Sequence, residues 1–114
     1  MANQILPLSR SELLILTALS GREHYGLEIA ESVRQLTDGK QTISLGGLYT
    51  ILSRMERKGL VRGRWGDTAE GRHGARRRYY ELSGLGARAL SDTRALLQGA
   101  WKRAPRLRSS LEGA

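Results

Sequence analysis

Apolar residues recur at helical spacing in four stretches of the chain and alternate with polar ones in two short segments. From Ser44 to Leu60, SLGGLYTILSRMERKGL, the residues Leu48, Ile51, Leu52 and Met55 share one side at intervals of three and four. Leu45, Thr50, Arg54, Arg57 and Lys58 are left on the other faces. Ser44 is a natural N-cap, because its hydroxyl accepts from the unpaired N–H groups of the first turn. Gly59 is the matching stop, since glycine takes the left-handed conformation after a helix at little cost. Upstream, Ser9-Arg10-Ser11-Glu12 has the spacing of a capping box, and the helix it predicts carries Leu13, Leu14, Leu16, Ala18 and Leu19 before stopping at Gly21. A second helix is predicted over Leu27 to Leu36, with Ile29, Val33 and Leu36 inward beside Ala30 and with Glu28, Glu31 and Arg34 outward.

Arg22 to Gly26 reads as a short connection and Thr37-Asp38-Gly39-Lys40 as a turn. Gln41-Thr42-Ile43 is β-prone and is expected to form one extended strand. Leu60 to Trp65 and Arg76 to Leu82 read as two strands of a hairpin, joined by a polar loop from Gly66 to Ala75 with three glycines. Alternation places Arg76, Arg78, Tyr80 and Leu82 on one face, with Tyr80 and Leu82 packing on the helices. A last helix starts at Ser83 and runs to about Arg103, carrying Leu85, Ala89, Leu90, Leu96, Leu97, Ala100 and Trp101 over about five turns. Pro105 is expected to end it. This apolar stripe extends beyond what a three-helix core can cover, so a second copy of the chain is its natural partner. The fold class is mainly α with a small β-hairpin: a winged helix-turn-helix in residues 1–82, a C-terminal dimerisation helix in 83–104 and a flexible tail in 105–114. Leu90, Leu97 and Trp101 are the candidate dimerisation residues.

At 114 residues the chain is one domain's worth. A domain of this size buries roughly two-thirds of its unfolded surface, so it folds without metals or disulfides. It has no cysteine, which removes thiol nucleophiles and thiolate metal sites. No apolar run nears the roughly 18 to 20 residues that span a bilayer, and MANQILPLSR lacks the regions of a signal peptide. A cytoplasmic protein with no membrane partner is expected.

Of the net charge of +8, most sits in one segment. Arg54 to Arg78 holds nine basic and three acidic residues, against ten and eight in the other 89. A field this concentrated favours a polyanion, and nucleic acid is the usual one. Arginine outnumbers lysine sixteen to three, which favours forked contacts with phosphates or guanines. Gly46 and Gly47 stand in the first turn of a helix, where each costs about 1 kcal/mol relative to alanine. Their use would be to let backbone N–H groups approach a phosphate. His24 and His73 are far apart, and there is neither a Gly-rich phosphate loop nor metal-ligand spacing, so no enzyme, metal or cofactor is expected.

The order of these elements, with LSRSELLILTAL, HYGLEIAESV, SLGGLYTILSRMERKGLV and RRRYYELSGLGARAL, resembles the PadR family of transcriptional regulators, in its compact form with one terminal helix. The resemblance covers roughly Leu8 to Leu97. It implies a homodimer that binds double-stranded DNA at a palindromic operator, usually as a repressor, with the helix after Ser44 in the major groove and the wing along the backbone. Ser44 matches the family's capping serine and Tyr49 its tyrosine at the start of the recognition helix. The chain departs where the family commonly shows Pro-Gly-Thr after that serine; Leu45-Gly46-Gly47 lacks the threonine hydroxyl.

The DNA site expected on these grounds comprises Ser44, Gly46, Gly47, Arg72, Arg76, Arg77 and Arg78 against phosphates, and Tyr49, Thr50 and Arg54 near base edges. The alternative is a winged helix used as a protein-interaction module, or a non-specific DNA binder without an operator. Some relatives bind aromatic or drug-like effectors at a dimer interface lined by tryptophan. A small-molecule effector of that kind would quench Trp101, on the dimer helix, with Trp65 on the wing strand as the second tryptophan.

Overall fold

The computed structural model describes residues 7–67 and 76–112. In chain order its elements are α1 (Arg10–Leu19), β1 (His24–Tyr25), α2 (Gly26–Leu36), α3 (Leu45–Arg57), β2 (Val61–Trp65), β3 (Arg78–Leu82) and α4 (Gly84–Glu112). The helix starts follow their caps. Ser9 Oγ accepts from the Glu12 N–H at 3.1 Å while Glu12 Oε1 accepts from the Ser9 N–H at 3.0 Å, the reciprocal pair expected of a capping box. Ser44 Oγ accepts from the Gly47 N–H at 3.2 Å. At the other end of α3, Gly59 has φ 80°, and the N–H groups of Gly59 and Leu60 return to the carbonyls of Glu56 and Met55. That left-handed ending turns the chain from α3 straight into the wing.

The three helices enclose Ile15, Leu16, Leu19, Ile29, Val33, Leu48, Leu52 and Met55, all fully buried, with Leu60 and Tyr80 closing the sheet side. Each such aliphatic side chain contributes about 1.5–3 kcal/mol relative to an exposed one. Ile51 and Leu82 pack at the edge of this core. The sheet has the order β1-β3-β2, antiparallel throughout, with Val61 opposite Leu82 and Trp65 opposite Arg78.

Two elements differ from expectation. The third strand is His24–Tyr25, paired with Tyr80 and Tyr79, and not Gln41–Ile43. The latter segment leaves the turn at Asp38 and Gly39 held by Thr37, whose hydroxyl oxygen accepts from the Gln41 N–H at 3.0 Å, and it anchors through Ile43 on the core rather than through a ladder. His24 is buried, and its Nδ1–H donates to the Arg22 carbonyl at 3.0 Å. The second difference is the length of α4, which continues past Pro105 to Glu112. A proline interrupts one hydrogen bond of the ladder, while Leu107 and Leu111 carry the apolar spacing onward on the far side of it.

Two polar contacts fix α3 in place. Lys58 Nζ donates to Glu12 Oε2 at 2.7 Å, binding the end of α3 to the start of α1. Ser83 Oγ donates to the Gly59 carbonyl at 2.5 Å and accepts from the Gly86 N–H at 2.9 Å. The terminus of α3 and the first turn of α4 therefore share one hydroxyl. Only the beginning of α4 belongs to the core, through buried Ala89 and partly buried Leu90.

Candidate nucleic-acid interface

Because Leu48, Leu52 and Met55 face inward, the helical repeat puts Gly46, Thr50, Ser53 and Arg57 at the centre of the outward face of α3, and all four are exposed. Arg54 flanks this line on the α1 side, and Leu45 and Tyr49 flank it on the wing side. Thr50 Oγ1 donates to the Gly46 carbonyl at 3.1 Å, which leaves the hydroxyl oxygen as an acceptor toward solvent. Open space surrounds Gly46, whereas a side chain on Gly47 would reach the Ser44 hydroxyl at 3.1 Å. Arg54 and Arg57 make no ion pair among the described residues. Ser53 and Arg57 fall outside the set expected from sequence. The spacing of 46, 50, 53 and 57, opposite the inward Leu48, Leu52 and Met55, is the signal that would have found them.

Tyr49 lies in a different direction. Its phenol ring rests on the backbone of Gly26 at the start of α2, where an added Cβ would come within 2.7 Å of the Tyr49 Cζ. The side chain is a brace between α3 and α2 as well as a part of the exposed surface.

The basic run of the wing is divided by its acidic partners. Arg62 pairs with Glu81 at 3.3 Å across the hairpin. Arg64 grips Glu23 with two nitrogens and stacks 4.6 Å over Tyr79. The Arg64 hydrogen bond holds the Glu23 carboxyl below its ordinary range. Arg78 donates to Glu56 of α3 at 2.9 Å, and its guanidinium lies between the rings of Trp65 and Tyr80, at 5.1 and 5.8 Å. Burial pushes the Tyr80 hydroxyl above its ordinary range, against the opposing pull of Arg78. Arg77 sits 4.3 Å over Tyr25, and Arg76 Nε donates to the Gly66 carbonyl at 3.1 Å. Arg72 lies outside the described residues. The surface left for an anion is thus narrower than the sequence implies: Arg54 and Arg57 on α3, with Arg76 at the base of the wing.

On α4, Leu97 and Trp101 are 53% and 82% exposed and continue into exposed Leu107 and Leu111, but Leu90 packs on this chain's own core. Among the described residues no cluster of three or more histidine, aspartate or glutamate side chains is placed to hold a metal, and no helix is long and apolar enough to cross a membrane.

Residues 15–92 match the Transcriptional regulator PadR-like family. A protein of Lysinibacillus sphaericus is 29% identical over 79 residues, covering 69% of this chain and 70% of that one. The crystal structure of a PadR family transcription regulator from hypervirulent Clostridium difficile is 26% identical, with a TM-score of 0.70 over 87% of this chain and 98% of that chain. Bacillus subtilis PadR, solved in complex with operator DNA, shares the fold at 18% identity, with a TM-score of 0.65 over 76% of this chain and 46% of that one. Helix order, the three-stranded sheet and the long terminal helix agree with these likenesses, and the chain belongs to the PadR-like family of transcriptional regulators.

Proposed function

We propose that the chain acts as a homodimer in the cytoplasm, binds a palindromic operator, and regulates transcription from it as a repressor. The observation that carries this reading is the pairing of two surfaces. One is the outward face of α3, where Arg54 and Arg57 are exposed and make no ion pair among the described residues. The other is the exposed apolar stripe of α4, which a second copy would cover. The fold shared with a PadR solved on operator DNA supports it.

In this reading α3 enters the major groove, with Thr50, Ser53, Arg54 and Arg57 nearest the base edges and Leu45 available to a thymine methyl. Ser44, the backbone at Gly46 and Gly47, Arg72, Arg76 and Arg77 lie against phosphates. Tyr49 and Arg78 belong to the same surface, and their contacts to Gly26 and Glu56 make them positioning residues for α3 and the wing. Leu97 and Trp101 provide the dimer contact, with Leu90 at its edge.

The test is selection of bound sequences from a random DNA pool, with the mass of the protein measured in solution. A dimer that enriches a short palindrome is expected. Binding should fall with salt at a slope of about −0.9 per neutralised phosphate on logarithmic axes. Binding without an enriched motif would mark a non-specific DNA binder. No binding at low salt would favour a protein-interaction module.

A further inference from the structure

The chain leaving α3 and the start of α4 meet backbone to backbone. Ser83 makes three hydrogen bonds at this joint. Its N–H donates to the Leu60 carbonyl at 3.2 Å, its hydroxyl donates to the Gly59 carbonyl at 2.5 Å, and the hydroxyl oxygen accepts from the Gly86 N–H at 2.9 Å. Gly86 is buried, and a Cβ on it would overlap the Leu60 carbonyl oxygen. Open space surrounds Gly84, two residues earlier, so the close approach is confined to position 86. Only a residue without a side chain lets the α4 backbone rest on that carbonyl.

Two anchors set the direction of a stiff helix. Gly86 on Leu60 is the first, and buried Ala89 with partly buried Leu90, about one turn further on, is the second. The exposed stripe lies well beyond both, with Trp101 fifteen residues past Gly86. A displacement of about 1 Å at Gly86, pivoting on Leu90 about 6 Å away, becomes about 3 Å at Trp101, close to one base-pair step. We infer that Ser83 and Gly86 are positioning residues for operator recognition. By fixing α4 to the end of α3 they set the separation of the two α3 helices in a dimer, and with it the half-site spacing that the protein accepts. The inference rests on the homodimer and palindrome reading above.

The test uses duplexes that carry two copies of the half-site the parent selects, separated by spacers varied one base pair at a time, with a single half-site as control. The parent should prefer one spacing. Gly86→Ala should bind the single half-site as the parent does, lose about tenfold in affinity at the parent's spacing, and shift its optimum by about one base pair. Ser83→Ala removes the shared hydroxyl and keeps the N–H bond to Leu60, so it should broaden the preference. Ser83→Thr keeps a hydroxyl and should restore it. Melting curves show which variants fold, and Ser83→Ala decides the matter alone if Gly86→Ala does not. An unbroadened preference in Ser83→Ala would overturn the inference and leave the operator reading intact. So would a folded Gly86→Ala that keeps the parent's optimum or weakens equally on the half-site and the pair. A parent that is a monomer or has no preferred spacing would overturn the operator reading, and the inference with it.

Discussion

The phenol of Tyr49 is seated on the backbone of Gly26, and an added Cβ at Gly26 would overlap its hydroxyl oxygen. The first residue of α2 and the exposed shoulder of α3 therefore fit only because position 26 has no side chain. Gly26→Ala should push the ring away, lower stability by about 1–3 kcal/mol as overpacking does, and weaken binding to every DNA sequence through the displaced helix. Tyr49→Phe keeps the ring and should leave the selected DNA motif unchanged. A changed base preference in Tyr49→Phe would show that the hydroxyl reads a base.

Glu12 is only 4% exposed, yet its carboxyl titrates below its ordinary value of 4.5. Burial opposes ionisation there, and the Lys58 ammonium together with the Ser9 backbone and hydroxyl outweighs it. A carboxyl with a depressed folded-state value contributes stability above its unfolded value and loses it as pH falls through the folded one. Glu12→Gln should therefore be less stable than the parent at neutral pH by about 1–3 kcal/mol. The gap should hold down to about pH 4.5 and close in more acid solution. Denaturant midpoints across pH measure this, and a gap that persists at full strength in acid would remove the charge from the explanation.

The caps at Ser9, Ser44 and Gly59 were legible because their chemistry is local: partner and donor lie within a few residues along the chain. On α1, α2 and α3 the helical spacing marked Leu16, Leu19, Ile29, Val33, Leu48, Leu52 and Met55, all buried, but Leu36, read as inward, is 56% exposed, and Ile15, left out of the α1 set, is fully buried. His24–Tyr25 was not legible, since two residues cannot display an alternation and their ladder partners lie more than fifty positions downstream. The wing arginines misled for a similar reason. A run of basic residues is visible in one dimension, but Glu23 and Glu56, which take up Arg64 and Arg78, come from α2's approach and from α3. Sequence showed the sum of the charge and not its neutralisation. Leu90 reads as one stripe with Leu97 and Trp101, yet only the distance of each from the core decides which partner covers it.

That division of the arginines separates their expected effects on DNA. Arg57→Ala should weaken binding, reduce the salt slope by about 0.9 if it meets a phosphate, or relax one base position at about 1–3 kcal/mol if it reads guanine. Arg78→Ala should reduce thermal stability as well, because it removes the wing's link to Glu56, and should weaken all sequences alike. Arg62→Ala disturbs only an exposed pair, worth about 0–1 kcal/mol. Binding isotherms at several salt concentrations separate the three. A normal melting temperature with a changed motif in Arg78→Ala would identify it as a direct reader.

Leu97→Glu combined with Trp101→Glu places two carboxylates on the exposed stripe of α4, beyond the part that packs on this chain. The domain should fold, since neither residue touches its core. Sedimentation should show a dimer for the parent and a monomer for the double variant. Affinity for a full palindrome should fall far more than affinity for a single half-site, because linkage of two binding units raises avidity by about 10²–10⁴. An unchanged dimer would place the interface elsewhere.

Gly46 offers the sharpest separation of folding from binding. It lies in the first turn of α3 with open space where a side chain would be, so alanine fits the folded chain without displacing anything. Alanine also loses less backbone freedom on entering a helix, and Gly46→Ala should raise stability by up to about 1 kcal/mol. If the glycine is there so that a phosphate can approach the N–H groups of the first turn, the same methyl should stand in the way and weaken DNA binding. Gly47→Ala is the companion test, because its methyl would crowd Ser44 Oγ and disturb the cap, lowering stability and binding together. Melting curves and DNA titrations on the two variants give four numbers. A Gly46→Ala protein that is more stable and binds DNA as well as the parent would show that the bare first turn has no part in phosphate contact.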